Sequence, residues 1–188
     1  MKISVIVSTY NRPDTLVKVL EGLSRQTRLP DEIIIADDGS TWQTSRAVQP
    51  WLDRKDIRCI HVWQEDSGFR LARIRNKAIR ASEGDYLVFL DGDCIPDRHF
   101  VEDHLALASP GSFFQGKRMI VSRAATPDFS FADTASVFKR FKHLFSGNIS
   151  NGHHIIRLPF LPGYITSKKS GIRGCNMGFF KFDLTAVN

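Results

Sequence analysis

Residues 88–96 read Val88-Phe89-Leu90-Asp91-Gly92-Asp93-Cys94-Ile95-Pro96, "VFLDGDCIP". An apolar run ends there in two carboxylates one residue apart. A run without polar alternation is a strand buried on both faces, as in a parallel sheet covered by helices. A turn explains one acidic residue at its end. Two neighbouring carboxylates repel unless a counter-charge joins them, and hard oxygen ligands suit Mg2+ or Mn2+. An ordinary Asp-Gly turn is the competing reading.

Working outward, "ISVIVS" (3–8), "EIIIAD" (32–37), "IRCIHVWQ" (57–64) and "DYLVFL" (85–90) form a series of strands. Between them lie segments with helical spacing. "DTLVKVLEGLSRQT" (14–27) repeats Leu16, Val19, Leu20 and Leu23, with Asp14 expected as N-cap after Pro13. "TWQTSRAVQPWLDR" (41–54) carries Pro50, and "LARIRNKAIRAS" (71–82) and "RHFVEDHLALA" (98–108) follow the third and fourth strands. Each crossover is long enough for parallel pairing, which predicts an α/β fold with a mostly parallel twisted sheet flanked by helices. "FFQGKRMIV" (113–121) and "CNMGFFKF" (175–182) read as further strands, and 123–170 as loops and short helices.

The chain has 188 residues, 42% of them hydrophobic, which suits one globular domain. Its formal charge is +6, unevenly spread. Between Lys117 and Arg173, ten Lys or Arg face only Asp128 and Asp133, giving +8 there and −2 elsewhere. An anionic partner or a solvated basic face would each account for that. Cys59, Cys94 and Cys175 form no CxxC pair, so a disulfide framework is not indicated and a reducing compartment is expected. The opening "MKISVIVSTYN" is too short an apolar run for a signal peptide, and no run approaches a membrane span. The expected location is cytoplasmic, at most peripheral to the inner membrane.

In an open parallel sheet the carboxyl ends of the strands share one edge, where ligands bind. Ser8-Thr9-Tyr10-Asn11-Arg12, Asp37-Asp38-Gly39-Ser40 and Asp91-Gly92-Asp93 all follow strands. Gly92 lets backbone approach a ligand. Asp38 is either a turn residue, with Ser40 or Thr41 capping the next helix, or an acceptor for an imide N–H such as that of uracil. Tyr10 can stack on a base. Arg70, Arg73 and Arg75 surround a helix start, a natural seat for a diphosphate. Arg70 and Arg73 share a face, whereas Arg75 is expected to point elsewhere, into solvent.

"VIVSTYNRPDTL", "IIIADDGS", "GFRLARIRNKAI" and "YLVFLDGDCIPD" together resemble the family-2 glycosyltransferases with the GT-A fold. The similarity is to the branch with bacterial chondroitin polymerase and polypeptide N-acetylgalactosaminyltransferases. It covers residues 1–108 and resumes at "IRGCNMGFFKF" (172–182). The resemblance implies one domain, with a nucleotide-binding half at 1–108 and an incomplete acceptor and donor-sugar half at 109–188. It implies a metal-dependent, inverting transfer from a nucleotide-diphosphate sugar, most often UDP-linked. The acceptor would be a saccharide or glycolipid, anionic if the basic stretch holds it, in cell-surface polysaccharide or lipopolysaccharide synthesis.

By position, Ser8, Tyr10, Asn11, Arg12 and Asp38 would hold the nucleotide, with Arg70 near the diphosphate. Asp91 and Gly92 would meet ribose or sugar, Asp93 with Asp91 the Mn2+ or Mg2+ ion, and Asn176 with the backbone of 174–178 the donor sugar. In the family "GFDE" and then a "GWGxED"-like stretch follow such a strand, and the acidic residue of that stretch is the general base; this sequence stops at "LTAVN", so the base is expected beyond Asn188 and the chain reads as truncated. Asp128 and Asp133 are available carboxylates, and His153 and His154 read as exposed loop residues.

"VFKRFKHLF" (137–145) reads first as a helix with Phe138, Phe141 and Phe145 in the core, and second as an interfacial membrane helix. Two alternatives to the transferase are kept: an inactive nucleotide-sugar-binding fragment, and a haloacid-dehalogenase-type phosphatase, which "VFLDGDCI" also resembles. No nucleic-acid-binding module is recognisable.

Overall fold

The computed structural model describes residues 1–152, 155 and 172–187. The first part alternates as expected: β1 (Ile3–Thr9), α1 (Pro13–Ser24), β2 (Glu32–Asp37), α2 (Trp42–Leu52), β3 (Arg58–Trp63), α3 (Leu71–Ala81), β4 (Tyr86–Asp91) and α4 (Phe100–Leu107). Next come β5 (Phe114–Gln115), β6 (Ile120–Val121), α5 (Phe131–Thr134), α6 (Val137–Phe145), β7 (Ile149–Ser150), β8 (Asn176–Phe180) and α7 (Lys181–Thr185).

The main sheet has the order β3-β2-β1-β4-β8-β5. β1 pairs in parallel with both β2 and β4, and β2 with β3. β8 runs antiparallel to β4 and to β5. Alternate residues of the central strands serve two cores. Ile3, Val5 and Val7 pack with Leu16, Val19, Leu20 and Leu23 of α1 and with Val101 of α4. Ile6, Ile34 and Phe89 pack with Ile74, Ala78 and Ile79 of α3 on the opposite face. Burial on both faces is why these strands are apolar without alternation.

Several boundaries differ from expectation. Arg12 is the N-cap of α1, with Pro13 at its first turn; proline's missing N–H costs nothing there. Asp14 instead sits in that first turn, where a negative charge meets the helix dipole. Residues 113–121 do not make one strand. β5 ends at Gln115, and the next residue is Gly116, whose N–H donates to Asn176 O (3.0 Å) and whose Cβ, if present, would lie 2.0 Å from Asn176 Nδ2. The chain leaves the main sheet there, and β6 pairs with β7 in a separate two-stranded sheet. The expected strand 175–182 ends at Phe180 and turns into α7, held by Lys181 N–H donating to Asp85 O (2.8 Å).

At the amino edge of the sheet, buried Glu32 gathers donors from three segments. Ser4 Oγ donates to Oε1 (2.5 Å), as do the N–H groups of Glu83 (2.6 Å) and Gly84 (3.2 Å), and Arg58 pairs with Oε2. Removing that acceptor strands buried donors, which costs about 1–3 kcal/mol. Glu32→Ala is therefore expected to lower unfolding stability by about 2 kcal/mol. Urea denaturation checks this, and a change within error means the node is not structural.

Candidate functional site

The carboxyl ends of β1, β2 and β4 are in register, with Ser8 opposite both Ala36 and Asp91. Two backbone bonds extend the pairing past the strands: Asp38 N–H donates to Thr9 O (3.0 Å) and Gly92 N–H to Ser8 O (2.7 Å). The three sequence-selected loops therefore lie side by side along one edge. Gly92 has no room for a side chain, since a Cβ would sit 2.8 Å from Ser8 O.

On the β2 side, Asn11 and Gly39 take positive φ (50° and 103°). A Cβ on Gly39 would lie 2.6 Å from Asp66 Cα, so backbone packing and φ both demand glycine. Asn11 clasps the second loop: its Oδ1 accepts from Thr41 N–H (2.9 Å) and its N–H donates to Ser40 Oγ (2.8 Å). Ser40 is thus occupied with Asn11 rather than capping α2, whose N-cap is Thr41 without a side-chain cap bond. Asp37 is fully buried and accepts from Ser40 N–H (2.8 Å) and pairs with His61 Nε2 (2.9 Å). Burial opposes its charge, but the His61 and Ser40 bonds outweigh that and hold the carboxyl below its usual range.

Asp38 accepts from Gln64 Nε2 (2.5 Å) and from the backbone N–H of Arg70 (2.8 Å), which fixes the plane of its carboxylate. The Arg70 guanidinium itself turns to the Glu65 carbonyl, so the position expected near the diphosphate contributes its backbone here instead. Tyr10 is 49% exposed and donates to Asp66 Oδ2 (2.8 Å).

Arg75, expected in solvent, is the hub of the other side. Its Nε donates to Ser8 Oγ (3.0 Å), and its Nη2 to Asp91 Oδ1 (3.0 Å) and Gly174 O (3.0 Å). The guanidinium lies 5.4 Å from the centre of the Phe89 ring. The sequence held the signal: Arg75 falls on the same helical stripe as Leu71, Ile74, Ala78 and Ile79, the buried face of α3. Burial pushes the Asp91 carboxyl up from its usual range and Asp93 adds to this, while Arg75 and Arg118 pull it down in part.

Asp93 points outward, 49% exposed, in a long ion pair with Arg12 (3.6 Å). Beside it opens a cleft of about 740 Å³ whose lining includes Arg12, Asp93, Cys94, Arg118, Cys175 and Asn176. Tyr10, Asp38 and Asp91 are not among the residues lining this cleft. Asn176 is oriented by a residue that no sequence motif marks. His104 of α4 is buried, its Nε2–H donates to Asn176 Oδ1 (2.7 Å), and its Nδ1 has no partner among the described residues. Burial pushes the His104 pKa down to about 4, so the ring is neutral at neutral pH.

Residues 4–158 match the model of glycosyl transferase family 2, well over half of the chain. The chain belongs to glycosyl transferase family 2. Validoxylamine A glucosyltransferase of Streptomyces hygroscopicus subsp. limoneus is 39% identical over 106 residues, 55% of this chain and 23% of that protein. Hyaluronan synthase of Pasteurella multocida is 36% identical over 105 residues, 55% of this chain and 11% of that protein. This family-2 chain thus spans less than a quarter of the length of either relative. Among solved structures, Staphylococcus aureus TarS 1–349 in complex with UDP-GlcNAc is 30% identical, with a TM-score of 0.50 over 57% of this chain and 31% of that one. A mannosyltransferase of Pyrobaculum calidifontis has a TM-score of 0.64 over 100% of this chain and 46% of that one, at 21% identity, which shows the shared GT-A fold. With the family established, the phosphatase reading of "VFLDGDCI" falls away.

Other expectations in this family-2 chain are corrected. Phe138 and Phe145 are 81% and 85% exposed, so they are not core; Phe141 alone packs inward, beside Met119 and Leu144. Buried Arg140 holds that helix face down by pairing with Asp97 (2.9 Å). Asp133 is engaged in the capping box of α5, and Asp128 is exposed. His153 and His154 lie outside the described residues. Among the described residues no helix is long and apolar enough to cross a membrane.

Arg75 and Asp91 neutralise each other in partial burial, so losing one partner leaves an uncompensated charge. Arg75→Met is expected to cost about 2 kcal/mol, discounted for the water that reaches Asp91. The double variant Arg75→Met/Asp91→Asn should recover about half of that. Additive losses in denaturant melts refute the coupling.

Proposed function

We propose that this chain is the donor-binding part of a metal-dependent, inverting glycosyltransferase that uses a nucleotide-diphosphate sugar, a UDP-sugar first among them. The observation that carries the reading is the meeting of the loops bearing Tyr10, Asp38, Asp91 and Asp93 along one sheet edge beside a cleft lined by Asn176. Likeness to a structure described as a complex with UDP-GlcNAc supports the donor class. Residues 1–108 serve as the nucleotide half and 109–188 as part of the sugar and acceptor half.

Asp38 has its carboxylate plane set by Gln64 and Arg70, and its remaining lone pairs accept the imide N–H of a base. The half-exposed ring of Tyr10 offers a stacking face. Ser8 and Asn11 shape that loop through Arg75 and Ser40 rather than offering free groups. Asp91 keeps one oxygen for ribose or sugar once Arg75 has taken the other. Asn176, held by His104, turns its amide nitrogen toward Gly116, where only a hydrogen fits beside it.

Asp93 fits a hard cation: it is half exposed, offers only oxygen, and its ion pair with Arg12 is long enough to yield. Mn2+ or Mg2+ bound there, with Asp91, supplies a Lewis acid that offsets charge on the departing nucleotide. Arg12 and Arg118 line the same cleft and add fixed positive charge toward the diphosphate. A carboxylate base for the acceptor hydroxyl is not assigned to any residue described.

The acceptor is a saccharide or glycolipid of the cell surface. Exposed Lys117 and Arg118 on the cleft wall favour an anionic one. α6 is the contact with the inner-membrane surface, since Phe138 and Phe145 stand out beside Lys139 and Lys142.

Calorimetry with a panel of UDP-sugars, with and without Mn2+, tests the donor reading. Asp93→Ala is expected to weaken the Mn2+-dependent part at least tenfold, about 1.4 kcal/mol. An unchanged titration overturns the assignment of Asp93. Binding without sugar transfer separates a donor-binding fragment from an active enzyme. For α6, co-sedimentation with anionic vesicles at low salt is expected and is lost in Phe138→Ser/Phe145→Ser. Wild-type protein left in the supernatant ends the membrane assignment.

A further inference from the structure

Cys94 and Cys175 have no part in the reaction proposed above, yet both line the cleft. They hang from the backbone of one residue. Asp91 N–H donates to Cys175 O (3.4 Å), and Cys94 N–H donates to Asp91 O (3.0 Å). Asp91, Cys94 and Cys175 each offer a ligand atom, and these atoms all lie within 4.8 Å of one another. Asp93 Oδ1 stands 3.6 Å from Cys94 Sγ, at the open side of the group. All three cysteines are free thiols.

We infer that Asp91, Cys94 and Cys175 form a thiophilic metal site, distinct in chemistry from the hard-ion seat at Asp93, that takes Zn2+ or Co2+. Zinc binds sulfur at about 2.3 Å and carboxylate oxygen at about 2.0–2.2 Å, so a tetrahedral site needs donors roughly 3.4–3.8 Å apart. The three ligand atoms lie within 4.8 Å of one another, so a bound ion would have to draw them together by side-chain rotation, with the Cys94 and Cys175 backbones both hydrogen-bonded to Asp91. Two thiolates with one carboxylate select such ions over Mg2+ and Mn2+. Each thiol releases its proton to solvent as the metal binds.

Among the described residues, Arg75 and Arg118 face the group. Arg75 holds Asp91 Oδ1 from α3 and leaves Oδ2 open. Arg118, exposed on the 116–119 segment, neighbours both thiols and hydrogen-bonds to Cys94, so an ion bound here would displace it. An ion in this site draws Asp91 toward β8 and competes with any ion shared between Asp91 and Asp93. The inference does not rest on the donor reading, and its test contains no nucleotide.

The test is titration of the 188-residue chain with Co2+, in a non-thiol reductant and excess Mg2+. One equivalent is expected to bind with thiolate-to-cobalt charge-transfer and tetrahedral visible bands, which Zn2+ then bleaches. Cys94→Ser and Cys175→Ser should each weaken Co2+ by more than the roughly tenfold that loss of even an outer-sphere partner costs. Cys59→Ser, on β3 and outside the group, should leave the spectrum intact. Cys175 is buried; if its variant does not fold, half-buried Cys94 decides the matter alone. No thiolate band in the wild type, an unchanged band in Cys94→Ser, or a band lost in Cys59→Ser overturns the site.

Discussion

A single guanidinium binds the working edge of this protein together. Arg75 reaches from a helix under the sheet to a hydroxyl on β1, a carboxylate on β4 and a carbonyl just before β8. Burying a cation is costly unless every donor finds a partner, and here the partners come from three separate strand ends. Satisfying the charge and aligning the loops are therefore the same event. Gly174 is part of that arrangement, for a side chain there would meet Arg75 Nη1 at 2.9 Å. What Arg75 leaves over at this edge is one oxygen of Asp91 and the outward-turned Asp93.

The strand–helix alternation up to residue 107 was legible because each central strand is buried on both faces and each helix carries one apolar stripe. The shared edge followed from parallel pairing. What was lost depends on contacts between distant segments. Residues 113–121 have the composition of a strand, but Gly116 meets Asn176 and the chain departs. "VFKRFKHLF" is a helix as expected, but two of its three phenylalanines face outward, because Arg140 finds Asp97 and shares the inner face with Phe141. The misplacement of Arg75 is different in kind. Its helical position predicts burial, and only the habit of reading arginine as solvated argued otherwise.

Asn176 illustrates a further limit. Its motif marks it, but nothing in the sequence links it to His104, 72 residues earlier. The link matters because a neutral, buried imidazole carries a single N–H, and with that proton on Nε2 the amide oxygen is the atom that faces it.

The position of β8 has a kinetic meaning as well. Leu90 pairs with Asn176 and Tyr86 with Phe180, partners 86 and 94 residues apart, and β8 lies between β4 and β5 in the sheet. Closing so long a loop carries an entropic cost that the local βα units do not share. The first four strands can assemble from near-neighbour contacts, leaving a gap beside β4 that is filled last. Until then Arg75 lacks its third acceptor. Completing this edge therefore requires a long-range closure that brings in one short reversed strand.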